Sequence, residues 1–261
     1  MVEYPTLSIT TDPRGVAHLV LNRPEKRNAL SGQMIADLTA AALSLGGQDA
    51  VRAVVLSGAG SHFCAGGDLD WMKAQIDADR NSRMAEARKL AIMLKTLNEL
   101  PKPLIGRIHG GAFGGGVGLA CVCDVAIASD SARFGLTETR LGLIPATIGP
   151  YVLARVGEGM ARRICMSSRI FDAHEACDLG LMAKAVAEAE LDAAVMAEVA
   201  PYLSVAPGAV AATKAMLRAL GPKIDDAVID DSIRRLSDIW EGQEAAHGVA
   251  AFLSKQPPRW A

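Results

Sequence analysis

His109-Gly110-Gly111-Ala112-Phe113-Gly114-Gly115-Gly116-Val117-Gly118-Leu119 is the stretch on which the reading of this chain turns. An apolar run, Leu104 to Ile108, precedes it, and another, Val125 to Ala128, follows it. It therefore reads as a glycine-rich turn feeding a short helix between two strands. The first N–H groups of a helix have no partner inside it and sit at the positive end of its dipole, so such a turn suits an anion or an oxyanion. A dinucleotide fingerprint needs glycines at offsets of two and five, and no start from Gly110 to Gly118 supplies both. There is also no G-x-x-x-x-G-K-[ST] phosphate loop and no serine in a G-x-S-x-G elbow.

A second turn of the same kind follows the strand-like run Val51 to Leu56. It reads Gly58-Ala59-Gly60-Ser61-His62-Phe63-Cys64-Ala65-Gly66-Gly67-Asp68-Leu69. One such loop is a weak signal. Two on the same face of one sheet can supply the pair of donors that an enolate oxygen requires.

Outward from these turns the chain alternates. Val16 to Leu21 is a short apolar strand, and Ser31 can cap a helix running through Leu45, with Met34, Ile35, Leu38, Ala41, Ala42 and Leu45 at helical spacing. A polar stretch with helical tendency runs from Leu69 to Leu100, ahead of Pro101-Lys102-Pro103. From about Gly149 the pattern becomes helical almost throughout, with only Met182 to Val186 extended. These patterns predict an α/β core over residues 1–189 and a helical C-terminal region over 190–261. Val210, Met216, Leu217, Val228, Ile229, Ile239 and Trp240 would give that region an excess of apolar surface.

Composition narrows the function classes. Hydrophobic residues make up 50% and charged residues 21%, a globular balance. A formal net charge of −2 and only 4% aromatic residues disfavour nucleic acid as the main ligand. No stretch approaches the roughly 18 apolar residues of a membrane span, and the N-terminus lacks the pattern of a signal peptide, so no membrane association and a cytoplasmic location are expected. The five cysteines read as reduced core thiols, Cys64 among them. His62 and His109 flank the two turns, but no acid at ligand spacing accompanies either, so no metal site is expected.

The motifs taken together resemble the enoyl-CoA hydratase/isomerase (crotonase) superfamily over nearly the whole chain. They are Leu21-Asn22-Arg23-Pro24-Glu25-Lys26-Arg27-Asn28-Ala29-Leu30, Phe63-Cys64-Ala65-Gly66-Gly67-Asp68-Leu69, the Gly114-Gly115-Gly116 turn, Cys123-Asp124, Phe134-Gly135-Leu136-Thr137-Glu138 and Leu141-Gly142-Leu143-Ile144-Pro145. The resemblance implies a crotonase-like spiral of ββα turns with a C-terminal helical trimerisation region, a homotrimer or dimer of trimers, and an acyl-CoA substrate. No separate cofactor is implied, since coenzyme A is part of that substrate. An oxyanion hole carries over to the N–H groups of Gly67 and Gly115. The CoA-lining segment carries over to Lys26, Ala65, Asp68 and Leu69, and a C-terminal lysine that meets the CoA phosphates to Lys255.

Hydratases of this family use two glutamates. The second corresponds to Glu138, but the first position is Gly118, which here belongs to the substrate-binding set and leaves Glu138 as the only catalytic carboxylate. One base suits a Δ3,Δ2-enoyl-CoA isomerase, and it also suits a hydratase in which one carboxylate handles both water and proton. The segment Ile144 to Val152 with Gly118 resembles bacterial methylglutaconyl-CoA hydratases of leucine breakdown and favours the hydratase. A glutaconyl carboxylate would want a cation, for which Arg140 and Arg155 are nearest in sequence. A reading from another class is a non-catalytic acyl-CoA or RNA binding member of the same fold.

Overall fold

The computed structural model describes residues 3–261. A six-stranded sheet whose middle strands are apolar and largely buried forms the centre of the fold. It opens with β1 (Leu7–Thr11) antiparallel to β2 (Val16–Leu21), a pair that precedes α1 (Gly32–Gly46). Ser31 accepts a hydrogen bond from the Met34 N–H and so starts α1 where the sequence indicates. β3 (Ala53–Gly58) lies parallel to β2, and its four leading residues, Ala53 to Leu56, are buried. The polar stretch that follows is two helices rather than one, α2 (Leu69–Asp77) and α3 (Arg80–Asn98). Ala78 is extended, and the Asp79 carboxylate accepts the Ser82 N–H to begin α3 afresh.

β4 (Leu104–Ile108) pairs with β3, and β5 (Gly111–Phe113) intervenes before α4 (Gly115–Val122). β6 (Val125–Ser129) joins β4, and β7 (Arg133–Gly135) joins β5. After α5 (Gly149–Ser167) come β8 (Ile170–Asp172), α6 (Ala173–Asp178) and β9 (Lys184–Val186). The large sheet therefore runs β1-β2-β3-β4-β6-β9, and β5-β7-β8 form a small second sheet. A strand in each sheet followed by a helix gives the repeated ββα turn. β1, β5, β7 and β8 are additional to the sequence reading. The last three span three residues each, too short for alternation to register. α5 is interrupted at Gly157, whose φ of 74° and ψ of 163° are not helical, so it is two helical segments joined at a kink, in keeping with the helical pattern read from Gly149 onward.

The C-terminal helices are α7 (Leu191–Val199), α8 (Pro207–Leu220), α9 (Asp226–Trp240) and α10 (Gln243–Leu253). Leu191, Val195 and Val199 of α7 pack with Val16, Ala53, Val55, Ile105 and Ile127 of the sheet. Ile229, expected as surplus apolar surface, is instead buried with Ile233 against Ala87 and Ala91 of α3. The surplus sits mainly on α8, which has no buried residue and exposes Met216, Leu217 and Leu220, and on Ile239 of α9. Among the described residues no single helix is long and apolar enough to cross a membrane.

Candidate active site

The site is assembled by threading one loop between two others. The Ala65 N–H donates to Arg27 O at 3.0 Å, Leu30 N–H to Gly66 O at 2.7 Å and Asp68 N–H to Leu30 O at 3.0 Å. On the other side Cys64 N–H donates to Gly111 O at 3.1 Å and Phe113 N–H to Cys64 O at 3.0 Å. Asn28, fully buried with φ 55°, braces the entry. Its side chain accepts the Arg23 N–H and donates to Ala59 O and His62 O, each at 2.8 Å. This explains the Asn-Arg-Pro…Arg-Asn-Ala-Leu segment: it is a clamp on the second glycine turn.

A cavity of about 400 Å³ opens where the two turns meet. Gly66, Gly67, Gly114 and Gly115 line it on one side, Glu138, Arg140 and Ile148 on another, and Gln75, Arg83 and Trp240 further along. The N–H groups of Gly67 and Gly115 have no acceptor among the described residues. Gly115 opens α4, so its N–H is one of the helix's free donors. Two unpaired donors in one mostly apolar cavity can receive an oxygen that gains negative charge.

Glu138 begins a short 3-10 turn, Glu138–Leu141, which packs against α10 through Leu141, Leu143, Ala245 and Val249. A Cβ on Gly114 would stand 3.0 Å from Glu138 Oε1, so the carboxyl lies against the glycine turn and needs its bare backbone. Glu138 Oε2 is buried without a hydrogen-bond partner. Burial raises the pKa of this group to about 7, and a bond from its own backbone N–H offsets only part of that. A carboxyl so poised can take up and return a proton near neutral pH.

Gly118 is fully covered, and the side chain that covers it is Ile148. A Cβ at residue 118 would fall 2.5 Å from Ile148 Cγ2. This corrects the assignment of Gly118 to substrate contact, because Ile148 lines the cavity in its place. The position has lost not only a carboxylate but also the room for one.

Of the other residues expected to bind CoA, Ala65 lines the cavity and Lys26, Asp68, Leu69 and Lys255 do not. Asp68 is buried as the N-cap of α2, accepting from Asp70 and Trp71 N–H, and it pairs with Arg23 at 2.9 Å. The Arg23 guanidinium and those backbone bonds outweigh burial and hold its carboxyl below the usual range. Lys26 pairs at the surface with Asp70 at 3.3 Å, and Leu69 is exposed beside it. Lys255 follows Phe252, which lines the cavity, and has left-handed φ. Arg155 is corrected too, since it donates to the carbonyls of Cys121, Cys123 and Asp124 at the end of α4. Cys64 is a buried thiol pushed up to about 12, consistent with a core residue. Asp124 accepts the Leu104 N–H and the Lys214 ammonium, tying α8 to the sheet. Among the described residues no group of His, Cys, Asp and Glu could hold a metal ion.

The chain and its fold have counterparts among known proteins. The enoyl-CoA hydratase/isomerase family model matches residues 11–261. The chain belongs to this family. It is 32% identical over 250 residues to enoyl-CoA hydratase AKT6-1 of Alternaria alternata, covering 94% of this chain and 81% of that protein. The crystal structure of an enoyl-CoA hydratase from Shewanella pealeana superposes with a TM-score of 0.81 at 36% identity, over 99% of this chain and 97% of that one. Pseudomonas aeruginosa AtuE gives a TM-score of 0.80 at 38% identity, over 98% and 99% of the two chains. The ββα spiral is thus the crotonase fold.

The raised pKa of Glu138 has a consequence for stability. From its ordinary value near 4.5 up to about 7, the folded chain holds a proton that the unfolded chain has released, so stability falls as pH rises through that window. Glu138→Gln should flatten this part of the stability profile and raise stability above pH 7, as read by denaturant midpoints across the range. An unchanged profile would mean that Glu138 titrates normally.

Proposed function

We propose that the chain is an enoyl-CoA hydratase that adds water across the α,β double bond of an acyl-CoA thioester with Glu138 as its only catalytic carboxylate. The thioester oxygen accepts from the N–H groups of Gly67 and Gly115, which stabilise the enolate. Ionised Glu138 takes a proton from water as the water oxygen bonds to Cβ and the π electrons move onto the thioester. The resulting carboxylic acid then protonates Cα, restoring the carboxylate. One water is consumed and no other reactant is needed.

The observation that carries this reading is Glu138 itself: a carboxyl with pKa about 7, against Gly114, in the cavity that both free N–H groups line. Membership of the family supports an acyl-CoA substrate. For the substrate we favour 3-methylglutaconyl-CoA of leucine degradation, on the sequence of the Ile144–Ile148 turn and on the presence of arginine in the cavity wall. Ile148 over Gly118 favours one alternative, the Δ3,Δ2-enoyl-CoA isomerase, because a single base beside an apolar wall is all that a shift of the double bond requires.

Glu138→Gln keeps the shape and cannot exchange a proton, so turnover of enoyl-CoA should fall by at least about a thousandfold while acyl-CoA affinity stays within a few fold. In heavy water the wild-type product should carry one solvent deuterium at Cα and a new hydroxyl at Cβ. Movement of the double bond without a hydroxyl would establish the isomerase, and ligand-dependent stabilisation without turnover would establish a binder.

We further propose assembly as a homotrimer or dimer of trimers through the helical region, supported by the exposed Met216, Leu217 and Leu220 of α8. Light scattering should give a multiple of three chains, and a monomeric mass at micromolar concentration would contradict it.

A further inference from the structure

Three residues lining the cavity carry buried side-chain atoms with no hydrogen-bond partner: Glu138 Oε2, Gln75 Oε1 and Arg83 Nε. The first belongs to the proton-transfer group. The other two flank the bend between α2 and α3. Buried donors and acceptors are normally paired, so two unpaired ones on side chains that line one cavity mark a place where a polar group from outside the chain is received.

Both side chains are held in position by their remaining atoms. Gln75 is 8% exposed, and its Nε2 donates to Trp71 O at 3.5 Å. The Arg83 guanidinium donates through Nη1 to the carbonyls of Gln75 and Ala78 at the end of α2, and its Nη2 lies 3.9 Å from Glu241 Oε1. Carbonyl dipoles and Glu241 thus anchor the cation and leave its Nε–H free. Arg140 also lines the cavity, but it is exposed, and a solvated cation discriminates weakly.

Gly67 and Gly115 lie on the glycine turns, whereas Gln75 is near the far end of α2, roughly 9 Å of helix beyond Leu69. Because all four residues line one cavity, an acyl group whose thioester oxygen is held at the turns can extend its tail towards Gln75 and Arg83. We infer that these two side chains receive an oxygen at the distal end of the acyl chain, a hydroxyl or a carboxylate, and so select oxygen-ended enoyl-CoAs over purely hydrocarbon ones. A hydroxyl would accept from Arg83 Nε–H and donate to Gln75 Oε1. A carboxylate would accept from Arg83, and from Gln75 once the amide has turned over. This selection rests on the reading of the cavity as an enoyl-CoA site and names its substrate class.

The test compares 2-enoyl-CoAs of matched chain length ending in methyl, hydroxyl or carboxylate, over several lengths, by kcat/KM. The expected result is a preference of at least about tenfold for an oxygen-ended chain, with the better of the two oxygen forms identifying the natural end group. Gln75→Leu and Arg83→Met should each bring the oxygen-to-methyl ratio towards one. Arg83→Lys, which keeps the charge and stem but has no Nε–H, should do the same if Arg83→Met folds poorly. Dissociation constants of saturated acyl-CoAs with the same end groups give the ratio independently of turnover. Equal or better use of the methyl-ended chains by the wild type, or a ratio unmoved by all the variants, would overturn the inference. Loss of all turnover with intact end-group selection in binding would instead count against the hydratase reading alone.

Discussion

The structure depends on one backbone contact, the stacking of the loop containing Cys64 directly onto the strand and helix that follow Gly110. Hydrogen bonds run both ways between Cys64 and β5, and the carbonyl of Cys64 lies so close to α4 that a Cβ on Gly116 would come within 2.4 Å of it. A side chain there would push the two turns apart. Because they touch, Gly67 and Gly115 line one cavity although distant in sequence. The Asn28 clamp and the Arg23–Asp68 ion pair, at 2.9 Å and largely buried, serve this contact from the outside.

Glu138 answers to the opposite requirement. Its turn is closed over by the chain's own C-terminal helix, and burial without a cationic partner raises its proton affinity. Most acids in this chain whose pKa shifts are lowered by arginine, lysine or backbone donors, as with Asp68 and Glu175. The isolation of Glu138 is therefore local and specific. With Ile148 seated over Gly118, the wall beside that position is hydrocarbon, which is why the proposed mechanism gives both proton transfers to Glu138.

Much of this was legible in the sequence. Glycine turns after apolar strands and the Ser31 cap are local signals, and each survives in the structure. What was not legible depends on distant packing. The family resemblance put Asp68 in the CoA-lining segment, and the structure shows its side chain capping α2. Gly118 reads as a substrate-binding position without a carboxylate, and only the path of the 144–148 turn shows that Ile148 fills the space beside it. Gln75 and Arg83 lie within the polar stretch of helical tendency from Leu69 to Leu100, where no motif singles them out. The bend at Ala78 and the packing of α9 across α3 bury them, and neither carries a sequence motif.

The central claim is that the two glycine N–H groups polarise a thioester carbonyl beside Glu138. The most direct measurement is the infrared carbonyl stretch of a thioester labelled with carbon-13 at C1 in an unreactive acyl-CoA, bound at saturation to the wild type and to Gly67→Pro. Gly67 is the better site for this change, since a Cβ there meets nothing closer than Met72 Cγ at 3.6 Å, whereas at Gly115 it would meet Leu30 at 2.6 Å. The wild type should shift the band to lower frequency than in water, and the variant should lose much of that shift while still binding the ligand. A band at its solution frequency in the wild type, or the same shift in both proteins, would contradict the account.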